Sequence, residues 1–177
     1  PTIADDIKQS AVWAVLFSLV VIFMYILIRF RRMSYSIGAV AAVFHDVLIV
    51  LALFSILYGR LPFSLEIDQA FIAAILTVIG YSLNDTVVVF DRVREYFGIK
   101  SGSREEIVNA ALNSTLSRTI NTSLTTFFVL LIIFLFGGEV IRGFMFALMI
   151  GVVVGTYSSL FIATPIMVDT LKKEDDK

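Results

Sequence analysis

Five stretches of the sequence stay apolar for about twenty residues each, the length an α-helix needs to cross roughly 30 Å of hydrocarbon. No water is available at that depth, so each stretch must satisfy its own backbone N–H and C=O groups. Within a single segment the α-helix does this. The expected fold class is all-α: a polytopic membrane protein, a bundle of five transmembrane helices over about 10–29, 34–58, 70–90, 119–137 and 143–168. Composition agrees: 58% of the 177 residues are hydrophobic, against roughly 45–50% in a soluble domain.

Several chemistries are excluded early. The net charge of −1 gives no basic field to attract nucleic acid. Cys is absent, which removes disulfides, thiolate catalysis and cysteine metal sites. The one His sits in no H-E-x-x-H pattern, and no G-x-x-x-x-G-K-[ST] run is present. No metal or cofactor is expected, and no enzyme. The chain starts at Pro1 rather than Met, which reads as a fragment or a processed chain, and it carries no signal-peptide pattern.

Orientation follows from the cations. Arg29, Arg31, Arg32, Arg92, Arg94, Lys100, Arg104, Lys172, Lys173 and Lys177 fall on one side of the five spans; Lys8, Arg60 and Arg142 fall on the other. Short loops rich in Lys and Arg stay cytoplasmic, so the amino end is expected outside and the carboxyl end inside. Trp13 lies near the outer interface, where amphipathic rings prefer to sit. Gly59 to Ser64 reads as a turn. Ser103 and Glu106 have capping-box spacing, which predicts an interfacial helix over about 103–116 that runs into the fourth span.

The residue that most resists a bland reading is Asp85, with Asn84 beside it. A carboxylate inside a membrane segment costs about 2.5–3.5 kcal/mol to insert. On a helix, Thr77, Gly80, Tyr81, Asn84 and Asp85 form one polar stripe, with Ile75, Leu76, Ile79, Leu83 and Val87 opposite. Asp85 is therefore read as a group that gains and loses a proton; the alternative is a passive, hydrogen-bonded carboxyl. Asp85 lies about six residues from the inner end of its span, and Arg118 near the inner end of the next, with Asn121, Thr122 and Thr125 following. The depths match, so a direct or water-bridged pair is geometrically allowed. Otherwise Arg118 snorkels to the headgroups.

His45-Asp46 falls near the middle of the second span, on a helix narrowed by Gly38, Ala41 and Ala42. The pair is read either as an extension of a proton path or as polar glue between helices. Adjacent residues point about 100° apart, so the two need not act together. In the fifth span Gly143, Ala147, Gly151, Gly155, Ser159 and Ala163 recur every fourth position, a seam that admits another helix closely. Asp91, Arg92, Arg94 and Glu95 read as solvated ion pairs at a helix end.

The run Ile79-Gly80-Tyr81-Ser82-Leu83-Asn84-Asp85-Thr86-Val87-Val88-Val89-Phe90-Asp91-Arg92-Val93-Arg94-Glu95 resembles a signature helix of the SecF branch of the SecD/SecF protein-export family, within the resistance-nodulation-division superfamily. Phe44-His45-Asp46-Val47, Ser117-Arg118-Thr119, Leu135-Phe136-Gly137-Gly138, Ile150-Gly151 and Gly155-Thr156 are similar to further family patterns, in the same order. The resemblance covers nearly the whole chain. It implies association with SecD and the SecYEG translocon in the bacterial inner membrane, unfolded preprotein as cargo, and use of the proton-motive force. It also implies that Asp85 and Arg118 match the family's proton-coupling residues. Family members have six spans and an extracytoplasmic domain between the first two, so the chain is expected to hold the last five spans alone. The readings set against this are a small-molecule or lipid exporter of the same superfamily, an intramembrane hydrolase using His45 and Asp46, and a structural scaffold.

Overall fold

The computed structural model describes residues 3–175 and is built from α1 (Ile3–Phe30), α2 (Met33–Leu57), α3 (Gln69–Ile99), α4 (Arg104–Phe136), α5 (Glu139–Ser158), a π turn (Ser159–Ala163) and α6 (Thr164–Asp175). Among the described residues there is no strand. The helices make five stretches long and apolar enough to cross a membrane: Gln9–Phe30, Met33–Leu57, Gln69–Ile99, Arg104–Phe136 and Glu139–Lys173. Two of the cations used for orientation fall away here: Lys177 lies outside the described residues, and so does the side chain of Lys8.

One element differs from its expected bounds. The third span does not stop near Phe90; α3 runs on to Ile99. The helix expected over 103–116 does run into the fourth span, and the two form one element, α4. Caps set the starts of both helices. Asp68 accepts the Phe71 N–H at 2.8 Å to start α3, and Ser103 and Glu106 close a capping box at the start of α4. No glycine or proline then interrupts α4, so one helix carries through 33 residues.

The order of packing places α1 at one edge and α4 at the other. Between them α2, α3 and α5 with α6 form the centre, and α3 lies against α5 along its length. That closeness needs small residues. A Cβ at Gly151 would collide with the side chain of Val78, and one at Gly155 would lie 2.9 Å from Ser82 Cβ. In a membrane no hydrophobic driving force separates helix from lipid, so such backbone approach is a main source of cohesion. Phe30, Tyr35 and Phe90 stack at the arginine-rich end, with ring centroids 4.8 to 5.9 Å apart. Phe54 meets Phe71 and Phe146 at the other end. Between these two apolar plugs lies the polar part of the bundle.

The last span is not one regular helix. Pro165 has no N–H to offer the carbonyl of Phe161, and the chain widens into a π turn just before it. Thr164 Oγ1 donates instead to the carbonyl of Ser159, at 2.9 Å. The turn lies beside α2, where a Cβ at Gly38 would come within 2.5 Å of the Ala163 carbonyl oxygen.

Candidate functional site

Two buried carboxyls occupy the polar middle, one on each side of the α3–α5 seam. Asp85, on α3, is 4% exposed. Its partner is Ser123 of α4, whose hydroxyl donates to Oδ2 at 3.4 Å. Ser123 in turn lies 2.6 Å from Thr156 Oγ1 of α5. Thr156 Oγ1 is also 2.6 Å from the Val152 carbonyl, so its one hydrogen serves one acceptor at a time. Tyr81, one turn before Asp85, brings its hydroxyl to 3.4 Å from Thr126 Oγ1. Hydroxyls of α4 and α5 are thus linked to Asp85 through Ser123.

Asp46, on α2, is 1% exposed. Ser82 of α3 and Ser158 of α5 donate to its Oδ2 at 2.5 and 2.8 Å. His45 Nδ1 lies 3.1 Å from Oδ1. The two side chains are therefore in contact although they are neighbours on the helix. Thr86 and Ser159 lie 2.9 Å apart just beyond, at the start of the π turn.

The polar stripe expected on α3 splits. Asp85 turns into the bundle and Tyr81 is half-buried, whereas Thr77, Gly80 and Asn84 are exposed. The buried face of that helix includes Ile75, Ile79, Ser82 and Thr86, so Ile75 and Ile79 of the expected opposite face are core. On α4, Arg118, Asn121, Thr122 and Thr125 are exposed, and the Thr122 hydroxyl donates back to the Arg118 carbonyl at 2.9 Å. Arg118 forms no ion pair with Asp85 here. It lines a cleft of about 370 Å³ with Val88, Asp91, Arg92, Glu95, Ser114 and Thr115. That cleft follows α3 from Glu95 to Val88 and ends one turn short of Asp85.

Sequence reasoning passed over Ser82, Ser123, Thr156, Tyr157 and Ser158. Hydroxyl residues are common in membrane helices as back-bonding groups, so they carry little signal singly. Ser82 stands three residues before Asp85, and Ser158-Ser159 forms a polar pair inside an apolar run; those spacings were the available clue. At the helix end, Asp91 pairs with Arg29 of α1 at 2.8 and 2.9 Å, and Arg92 with Glu95 at 2.7 Å. Among the described residues no group of acidic or histidine side chains is arranged to hold a metal.

The family model described as protein export membrane protein SecD/SecF, C-terminal, matches residues 1–173. The protein translocase subunit SecF of Rhodothermus marinus is 61% identical over 170 residues, which cover 96% of this chain and 55% of the relative. That of Petrotoga mobilis is 46% identical over 171 residues, covering 96% and 54%. The chain thus spans about half the length of these curated relatives. A crystal structure of SecDF in its super-membrane-facing form superposes with a TM-score of 0.86 at 38% identity, over 99% of this chain and 23% of that one. SecDF from Thermus thermophilus, a translocon-associated membrane protein, gives 0.81 at 40% identity, over 93% and 22%.

Proposed function

We propose, from the premise that this chain belongs to the SecD/SecF C-terminal family of protein export membrane proteins, that it is the proton-coupled membrane part of a SecF-type translocase subunit. It is a multi-pass membrane protein. In this reading it sits in the bacterial inner membrane with its amino end outside and its carboxyl end in the cytoplasm. SecD and the SecYEG translocon are its partners, and unfolded preprotein is the cargo. The cited relatives are named as protein translocase subunits, which favours protein over a small molecule or lipid as cargo.

One observation carries the reading. Asp85 is a buried carboxyl in the middle of a helix bundle, bonded to a hydroxyl and not to a cation, one turn beyond a cleft that opens at the arginine-rich end. A structural carboxyl is ordinarily paired or fully hydrogen-bonded. Among the described residues Asp85 has a single acceptor contact, at 3.4 Å, so neither protonation state is locked. In the proposed cycle Asp85 takes a proton from the outer side. It then releases the proton toward the cleft, where Arg118 favours the ionised state. Ser123 and Thr156 tie that change to α4 and α5. A proton crossing 100 mV delivers about 2.3 kcal/mol, enough to bias two helix packings about fiftyfold.

Preprotein export in cells tests this, with Asp85→Asn introduced into the full-length protein. Asn keeps the shape and the contact to Ser123 but takes up no proton. Export should fall to the level of a strain lacking the protein while the variant still accumulates in the membrane. Export at the wild-type rate would contradict the proposal.

A further inference from the structure

Asp46 belongs to a hydrogen-bonded line that the Asp85 cycle does not use. Inside, Ser82 and Ser158 hold its Oδ2, and His45 Nδ1 meets its Oδ1. His45 Nε2 then lies 2.7 Å from the Tyr157 hydroxyl, the two rings edge to face at 5.5 Å. Exposure rises along the line: 1% at the Asp46 side chain, 27% at that of His45, 38% at Tyr157. Among the described residues no Lys or Arg touches Asp46. The titratable groups facing it are His45 from α2 and Tyr157 from α5; α3 presents Ser82, and Asp85 one turn on is bonded across the seam to Ser123 of α4.

Depth makes this arrangement costly unless it is used. His45 stands midway along α2, and Tyr157 midway along the span Glu139–Lys173. An imidazole and a phenol facing outward at mid-depth are unfavourable against hydrocarbon, so that face of the bundle must be wetted or covered by protein. A fully buried carboxyl without a cation is also unfavourable when ionised. A route by which it gains and loses a proton removes the conflict.

We propose that Asp46 is a second exchangeable proton site and that His45 and Tyr157 carry the proton between it and the bundle surface. In the inward step Tyr157 passes its hydroxyl proton to His45 Nε2 and is refilled by hydronium, which becomes water. His45 Nδ1 gives its proton to Asp46 Oδ1. The carboxylate becomes a carboxylic acid; phenol and imidazole end neutral, the imidazole as its other tautomer. The outward step reverses each transfer. This site opens on the α2–α5 face, whereas the cleft of the Asp85 site lies between α3 and α4. It stands independently of proton coupling at Asp85.

Infrared spectroscopy of the full-length protein in lipid nanodiscs tests it, in the Asp85→Asn background so that failure at Asp85 does not enter. The Asp46 carboxylic-acid C=O band is assigned by its loss in Asp46→Asn, and its shift is followed after transfer to D₂O. The expected result is a band that exchanges, and that exchanges about a hundredfold more slowly in Tyr157→Phe and in His45→Gln. Tyr157→Phe keeps the ring and its packing. If Asp46→Asn does not fold, the band is identified as the one that Tyr157→Phe slows. The proposal is overturned if no carboxylic-acid band slows in that variant, or if Asp46 contributes no such band at any pH.

Discussion

Gly155→Ala concentrates on one atom how the fold and the buried carboxyls depend on each other. The added Cβ would lie 2.9 Å from Ser82 Cβ, 3.2 Å from Ser82 Cα and 3.3 Å from Ser82 Oγ. Unstrained carbon contacts need about 3.5–4.0 Å. One of the crowded atoms is backbone, so a rotamer change does not suffice and α3 itself has to move. A retreat of about half an ångström or more stretches the 2.5 Å bond from Ser82 Oγ to Asp46 Oδ2. Overpacking costs about 1–3 kcal/mol, and loosening a hydrogen bond to a carboxylate adds about 1.5 kcal/mol. The expected loss is therefore about 2.5–4.5 kcal/mol of bundle stability. Unfolding of the full-length protein by SDS in mixed micelles reads it. The control is Ser82→Gly, which removes the Cβ that the new methyl meets. In the double variant the methyl fills that space, and the two costs should fall short of additivity by about 1 kcal/mol or more. Additive losses, or a Gly155→Ala protein as stable as wild type, would refute the account of the seam.

Other perturbations give smaller or differently placed effects. Asp68→Ala removes the side chain that caps α3 and should cost about 1 kcal/mol in the same unfolding assay. Arg29→Ala breaks an ion pair with Asp91 whose two side chains are about 40% exposed, so stability should change by less than about 1 kcal/mol, and less still at high salt. Ser158→Ala withdraws one donor from the most buried carboxyl and should cost about 1–3 kcal/mol; a neutral result would show that water replaces the hydroxyl.

The number and order of the helices were legible because membrane depth leaves an apolar chain few alternatives. The spacing of Gly151 and Gly155 was legible for the same reason, since small residues at every fourth position mark close approach. Asp85 was legible as an unusual residue, because its cost in hydrocarbon is independent of its partners. Its partners were not legible. Helical geometry says that Asn121, Thr122 and Ser123 point in three directions, and the angle at which α4 crosses α3 decides that Ser123 reaches the carboxyl. Contact between His45 and Asp46 was left open for a related reason: the 100° spacing of neighbours on a helix neither requires nor forbids it, and the side-chain torsions decide. The extension of α3 to Ile99 shows that leaving the hydrocarbon does not end a helix. Caps end helices, and Asp91, Arg92 and Glu95 pair within the extension and with α1.

Proton flux tests the central claim most directly. The full-length protein is placed in liposomes with a pH-sensitive dye inside, and a pH gradient and membrane potential are imposed. Wild-type protein should pass protons, Asp85→Asn should pass none above empty liposomes, and Arg118→Ala should pass them at a reduced rate. Flux through Asp85→Asn at the wild-type rate would contradict the account, because a proton would then cross the bundle without the buried carboxyl that is held to carry it.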